Sequence, residues 1–181
     1  ELFSKNFSER YEIFPSTRND TNLFSLKETK ELIDDLSPQY IINAAAKVGG
    51  IYANSNYSGD FILENLKIQN NVIENSWKFN VKRFLFLGSS CIYPKLAPQP
   101  LKEEYLLTGP LENSNESYAI AKISGIKLCN ALKEQYGFDA ISLMPTNLFG
   151  QGDNYHELNS HVIASMINKF YKAKINGTKK V

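Results

Sequence analysis

The chain has 181 residues, 43% hydrophobic and 22% charged, which suits one globular domain with a substantial core. Lys and Arg total 20 against 19 acidic residues, a net charge of +1, so there is no electrostatic footprint for nucleic acid. No apolar run approaches the roughly 20 residues of a membrane span, no signal peptide is recognisable, and two cysteines, Cys91 and Cys129, are too few for a disulfide framework and fit a reducing, cytoplasmic setting. The two histidines, His156 and His161, have no nearby cysteine pair, so zinc is not expected.

Along the chain, strand and helix patterns alternate. Residues 11–14 read as a short strand. Ser25 then opens a helix: Glu28 completes a capping box, Leu26, Leu32, Ile33 and Leu36 form an apolar stripe, and Pro38 ends it. Residues 40–45 read as a buried strand. A long helix is expected over 58–79, with Phe61, Ile62, Leu66, Ile68, Val72, Ile73 and Trp77 as its apolar positions. A strand over 83–88, a helix over 115–136, a strand over 138–144 ended by Pro145, and a helix over 160–173 complete the pattern.

Strands separated by helices imply parallel βαβ units, and near-continuous apolar strands imply a sheet covered on both faces. The fold class is therefore α/β, a doubly wound, Rossmann-like parallel sheet. Ligands bind such sheets beyond the carboxyl ends of the strands, here at 15–18, 44–47, 88–91 and 145–148. The loop 93–114, with its four prolines, is long for a compact domain and is a candidate functional loop. The first strand and Gly-rich turn of a dinucleotide fold are missing. Glu1 reads as already late in a first helix, and the chain reads as an internal piece of a larger protein. Residues 1–150 would be a partial dinucleotide domain and 151–181 the start of a substrate-binding region.

Tyr118-Ala119-Ile120-Ala121-Lys122 places a phenol and an ammonium on one helix face. A nearby cation favours the phenolate and should lower the tyrosine pKa, which would suit proton exchange with a carbonyl or alcohol. Alone this is weak, since the spacing arises by chance about once in a chain this rich in Tyr and Lys. The ordinary alternative is a solvated helix face. Gly88-Ser89-Ser90 at a strand end, one βα unit earlier, adds hydroxyls at the ligand edge. Ser followed by Tyr-x-x-x-Lys is the arrangement of short-chain dehydrogenases. Asn43-Ala44-Ala45-Ala46 ends another strand with small side chains that allow close approach of a cofactor.

Several segments are more specific. Ala44 through Ile51 (Ala-Ala-Ala-Lys-Val-Gly-Gly-Ile), Ser90-Cys91-Ile92-Tyr93-Pro94, Met144-Pro145-Thr146-Asn147-Leu148 and Asn159-Ser160-His161-Val162-Ile163 together resemble the GDP-L-fucose synthase family, in the nucleotide-sugar branch of the short-chain dehydrogenase/reductase superfamily. The resemblance covers essentially the whole chain. It implies 3,5-epimerisation of GDP-4-keto-6-deoxy-D-mannose followed by NADPH-dependent reduction of the 4-keto group. In that reading Tyr118 donates the proton to the keto oxygen, Lys122 tunes it and holds the nicotinamide ribose, and Ser89 polarises the carbonyl. Cys91 and His161 are the base and acid of epimerisation. Cofactor contacts would come from Arg18, Asn22 and Leu23, from Ala45 and Ala46, and from Leu87, Gly88, Ser89 and Ser90. Pro145, Thr146, Asn147, Leu148 and His161, with Tyr118 and Lys122, would complete them. Arg18, where an acidic residue would bind the ribose of NAD, suits the 2′-phosphate of NADP. Lys169 would face the substrate diphosphate. The family also implies a homodimer built by the helices 58–79 and 115–136.

Ordinary alternatives stand beside these roles. Cys91 could be a packing thiol, as Cys129 is expected to be, and His161 could be a capping or surface residue. Two rival functions remain: another NAD(P)-dependent nucleotide-sugar epimerase or dehydratase, which needs Tyr118 and Lys122 but not Cys91 with His161, and a non-catalytic NADP-binding module.

Overall fold

The computed structural model describes residues 6–7, 9–156 and 160–178. Residues 1–5, where the tail of a first helix is expected, and Asn159 of the Asn-Ser-His motif lie outside the described residues. Three parallel strands, β1 (Tyr40–Asn43), β2 (Arg83–Leu87) and β3 (Ala140–Leu143), form a sheet in the order β1-β2-β3. From Leu26 on, the α-helices among the described residues are α1 (Leu26–Leu36), α2 (Ile51–Asn56), α3 (Ser58–Lys78), α4 (Glu116–Tyr136) and α5 (Val162–Ile175). The expected parallel βαβ architecture is present.

Register explains where the core lies. Phe84 pairs with Ile41 and Ala140, and Phe86 with Asn43 and Ser142, so these residues share one face. Phe84 and Phe86 are fully buried there beneath Val72 and Ile73 of α3 and Ile123, Ile126 and Cys129 of α4. On the other face Ile42, Ile141 and Leu143 stay 41 to 49% exposed. Among the described residues, then, the expected cover on both faces is seen on one.

The two long helices meet closely because α4 is small where they touch. Ala119 and Ala121 are fully buried, and a Cβ on Gly125 would stand 2.4 Å from Cζ of Phe86. Gln69 of α3 donates to the Ala121 carbonyl at 2.7 Å. The helix ends follow local chemistry. Ser25 Oγ caps α1 by accepting from Glu28 N–H, Ser37 closes it in the left-handed region, and Gly137, at φ 72°, closes α4.

Three expectations are corrected. Residues 11–14 form no strand: no described strand lies beside them to complete a ladder, and Tyr11 and Phe14 are exposed. The capping box is half made, because Glu28 accepts from Asn22 N–H rather than from the cap residue. Between β1 and the long helix lies α2, a short helix the pattern did not reveal. The loop 93–114 is pinned at its base, where Lys95 N–H donates to Pro110 O at 2.9 Å and its ammonium pairs with Glu112 at 2.7 Å.

Candidate active site

A cleft of about 190 Å³ opens at the carboxyl ends of the three strands, the edge where parallel sheets bind ligands. Leu87, Gly88 and Ser89 line it after β2; Pro145, Thr146, Asn147 and Leu148 after β3; Ala44 and Ala46 after β1; Tyr118 and Lys122 from α4; and His161 from the start of α5. A smaller depression at the opposite strand ends, walled by Ile33, Ser37, Gln39 and Lys82, holds no comparable group of reactive side chains.

The wall after β2 is rigid because the ladder continues past the strands. Gly88 N–H donates to Leu143 O at 2.7 Å and Ser90 N–H to Pro145 O at 3.3 Å. A Cβ at Gly88 would be tight, at 3.1 Å from Leu143 O and 3.2 Å from Ile126 Cδ1, so its neighbours would have to give by a few tenths of an ångström. Ser89 is extended, and its Oγ accepts from Cys91 N–H at 3.4 Å, opening a 3-10 turn over Ser90–Ile92. The wall after β1 is held by three buried asparagines. Asn43 Oδ1 accepts from Ala45 N–H, and Asn54 Nδ2 donates to Gly49 O and Gly50 O. Asn65 both accepts from Lys47 N–H and donates to Lys47 O.

Lys122 is 4% exposed. Its ammonium donates to Leu87 O at 2.8 Å and lies 4.9 Å from the Phe86 ring centre and 5.7 Å from that of Tyr118. With no carboxylate among its contacts, burial pushes it down to about 8, against a small upward pull from the Cys91 thiolate. Tyr118 runs opposite to expectation. Burial, then the charge of the Cys91 thiolate, push it up to about 12. Helical spacing does bring Tyr118 and Lys122 to one cleft, but the ammonium is bonded to the strand end. At neutral pH the phenol is a proton donor, not a phenolate.

Cys91 is half-buried, packs on the hydrophobic core and is not among the residues lining the cleft. Burial raises its thiol pKa, offset in part by the Ser89 hydroxyl and the Lys122 ammonium. It therefore stands within electrostatic reach of Tyr118 and Lys122 without lining the cleft. Cys129 is 1% exposed and pushed up to about 12 by burial, a packing thiol as expected.

The other anticipated residues lie elsewhere. Arg18 is exposed in a turn where Thr17 donates through both N–H and hydroxyl to Asp20, at 2.7 Å each. That turn occupies Asp20 and lowers its pKa through the Thr17 bonds. Asn22 caps the next turn by accepting from Phe24 N–H, and Leu23 packs on the core with its carbonyl taken by Asn71. Lys169 is exposed on α5. Neither these four nor Ala45 and Ser90 line the cleft. Sequence reasoning missed Val48, Gly49, Asn54 and Phe61, which do line it. The Lys47-Val48-Gly49-Gly50-Ile51 motif was the available signal.

Residues 3–181 match the NAD dependent epimerase/dehydratase family. "GDP-L-fucose synthase 1" of Arabidopsis thaliana is 53% identical over 165 residues, which are 91% of this chain and 51% of that protein. Among solved structures, a GDP-6-OMe-4-keto-L-xylo-heptose reductase from C. jejuni superposes with a TM-score of 0.90 at 37% identity, over 96% of this chain and 50% of that one. A GDP-L-fucose synthetase from Naegleria fowleri, bound to NADP, superposes with a TM-score of 0.87 at 32% identity, over 98% of this chain and 55% of that one. The chain thus spans about half the length of the relatives it matches. Sequence match and strand-end cleft agree: the chain belongs to the NAD dependent epimerase/dehydratase family.

Proposed function

We propose that the protein containing this chain is an NADPH-dependent epimerase and reductase that converts GDP-4-keto-6-deoxy-D-mannose to GDP-L-fucose. The observation that carries this reading is the convergence of Ser89, Tyr118, Lys122 and His161 on one cleft, from three separate parts of the chain, in a sequence 53% identical to a GDP-L-fucose synthase.

The cleft fits the nicotinamide end of a dinucleotide. Its walls carry Ala44, Ala46, Gly49 and Gly88, which leave room for a flat ring, and Lys122 is a buried cation that needs further acceptors, as ribose hydroxyls would provide. NADPH, when bound, supplies the hydride to the sugar's C4. Tyr118 gives its proton to the keto oxygen, and the Ser89 hydroxyl donates to the same oxygen. As the phenol becomes a phenolate, the nearby Lys122 ammonium stabilises it. Protons at C3 and C5 are acidic because the enolate is resonance-stabilised. Cys91 and His161 exchange them from opposite sides, and the donors to the keto oxygen stabilise the enolate. Arg18 takes the 2′-phosphate of NADPH, and Lys169 the substrate diphosphate. Two copies pair through the outer faces of α3 and α4. No helix among the described residues is long and apolar enough to cross a membrane.

A second reading is a C4 reductase that leaves C3 and C5 unchanged. It is favoured by Cys91, which packs on the core with its pKa raised by burial, and by the likeness to the C. jejuni heptose reductase. The full-length protein, given the keto-sugar and NADPH in deuterated water, separates the two. Epimerase-reductase action incorporates deuterium at C3 and C5 and oxidises NADPH. Tyr118→Phe then stops oxidation but retains exchange, and Cys91→Ser stops exchange because a hydroxyl is a far weaker base than a thiolate. NADPH oxidation without deuterium at C3 or C5 assigns a reductase. No turnover at all defeats both readings and leaves a binding module.

A further inference from the structure

Asn54 has no part in the chemistry described above, yet it lines the cleft and is 7% exposed. Its amide has one sensible orientation. Nδ2 donates to Gly49 O at 2.8 Å and to Gly50 O at 3.1 Å, which leaves Oδ1 buried without a hydrogen-bond partner among the described residues. A position that served packing alone would not keep an unbonded buried acceptor. What the position does require is an NH2 group with two donors at this reach. An aspartate there would set a carboxylate against two carbonyl oxygens, and a leucine would leave Gly49 O unbonded and Gly50 O with the residue-54 N–H alone.

The turn it braces has no slack. A Cβ on Gly49 would stand 2.9 Å from Cβ of Ala53 and 3.1 Å from Cζ of Phe61, so the Gly49 backbone lies directly against the Phe61 ring. Phe61 in turn meets Tyr118 edge to face, with ring centres 6.3 Å apart and planes at 78°. We propose that Asn54 is a positioning residue: by holding the Gly49–Gly50 turn against Phe61, it fixes the ring of Tyr118 in the cleft. This deepens the reductase reading and rests on it for its catalytic consequence.

The test uses full-length protein with Asn54→Ala and Asn54→Asp. Asn56→Ala, an exposed neighbour whose amide bonds only its own helix at Tyr52 O, is the control. Two readouts are taken: amide hydrogen exchange over residues 47–56 without cofactor, and steady-state NADPH oxidation with the keto-sugar. Asn54→Ala should speed exchange in that segment by about tenfold. It should lower kcat by about tenfold or more while moving KM less than about twofold, since a small misplacement of a reacting group acts on the rate. Asn54→Asp should recover rate as pH falls, because a protonated carboxyl can donate one of the two lost bonds. A merely destabilised fold would show no such recovery. Unchanged exchange in Asn54→Ala overturns the brace. Faster exchange with unchanged kcat overturns the link to Tyr118. Absence of turnover by the parent defeats the reductase reading, and the exchange measurement still decides the brace.

Discussion

Lys122→Met is the sharpest perturbation of the site. The lysine is 4% exposed, has Leu87 O as its hydrogen-bond acceptor and has no carboxylate beside it. Its pKa falls from the ordinary 10.5 to about 8, which at roughly 1.4 kcal/mol per tenfold of proton affinity is about 3 kcal/mol against the charged folded state. Below pH 8 the lysine is charged in both folded and unfolded chains, and the penalty is fully present. Between 8 and 10.5 the folded chain has released the proton and the unfolded chain retains it, so stability climbs with pH. Above 10.5 both are neutral and the penalty is gone. Methionine nearly matches the stem and removes the charge, but leaves Leu87 O unbonded, at about 1 kcal/mol. The cofactor-free variant should therefore be more stable than the parent at pH 7 by about 2 kcal/mol, and its advantage should shrink between pH 8 and 10.5. Urea unfolding at pH 7, 9 and 10 measures both, and NADPH oxidation should be lost in the same variant. A variant no more stable at pH 7, or an advantage independent of pH, refutes the reasoning.

Three further outcomes are expected. Gly125→Ala forces a methyl against the Phe86 ring, where a Cβ would stand at 2.4 Å, and should destabilise the protein by about 1–3 kcal/mol in chemical denaturation. Arg18→Ala should weaken NADPH binding and leave NADH binding little changed, as read by titration of nucleotide fluorescence; equal loss for both would show that Arg18 does not read the 2′-phosphate. Sedimentation of the full-length protein at micromolar concentration should give a dimer, and a monomer would count against pairing through α3 and α4.

Local chemistry made much of the fold legible. The apolar run Phe84-Leu85-Phe86-Leu87 could only be a buried strand, and the Ser25 cap with Pro38 marked both ends of α1. Tyr118 and Lys122 reach one cleft because four residues make one helical turn. The direction of the Tyr118 shift was not legible, because helical spacing says nothing about burial, the main cause of the shift, nor about which acceptor holds the ammonium. That acceptor is Leu87 O, 35 residues earlier in the chain. Helix α2 was missed because six residues show no periodicity, and its first turn has Gly50 as cap with no side-chain bond. Asn54 was missed with it. Residues 11–14 had the composition of a strand, but a strand is defined by its neighbour, and no neighbour is present among the described residues.

The ladder that runs on past β2 and β3 limits how this site can evolve. Because Gly88 is bonded to Leu143 O and Ser90 to Pro145 O, the segments around Ser89 and around Asn147 shift as one body. A substitution that widens the Pro145–Leu148 side for a bulkier ligand also drags the serine away from its mark. Change of substrate is freest elsewhere: in the loop anchored by Lys95 and Glu112, whose far end can lengthen or turn over without passing strain to the strand ends. Diversification within this family should accordingly accumulate in that loop.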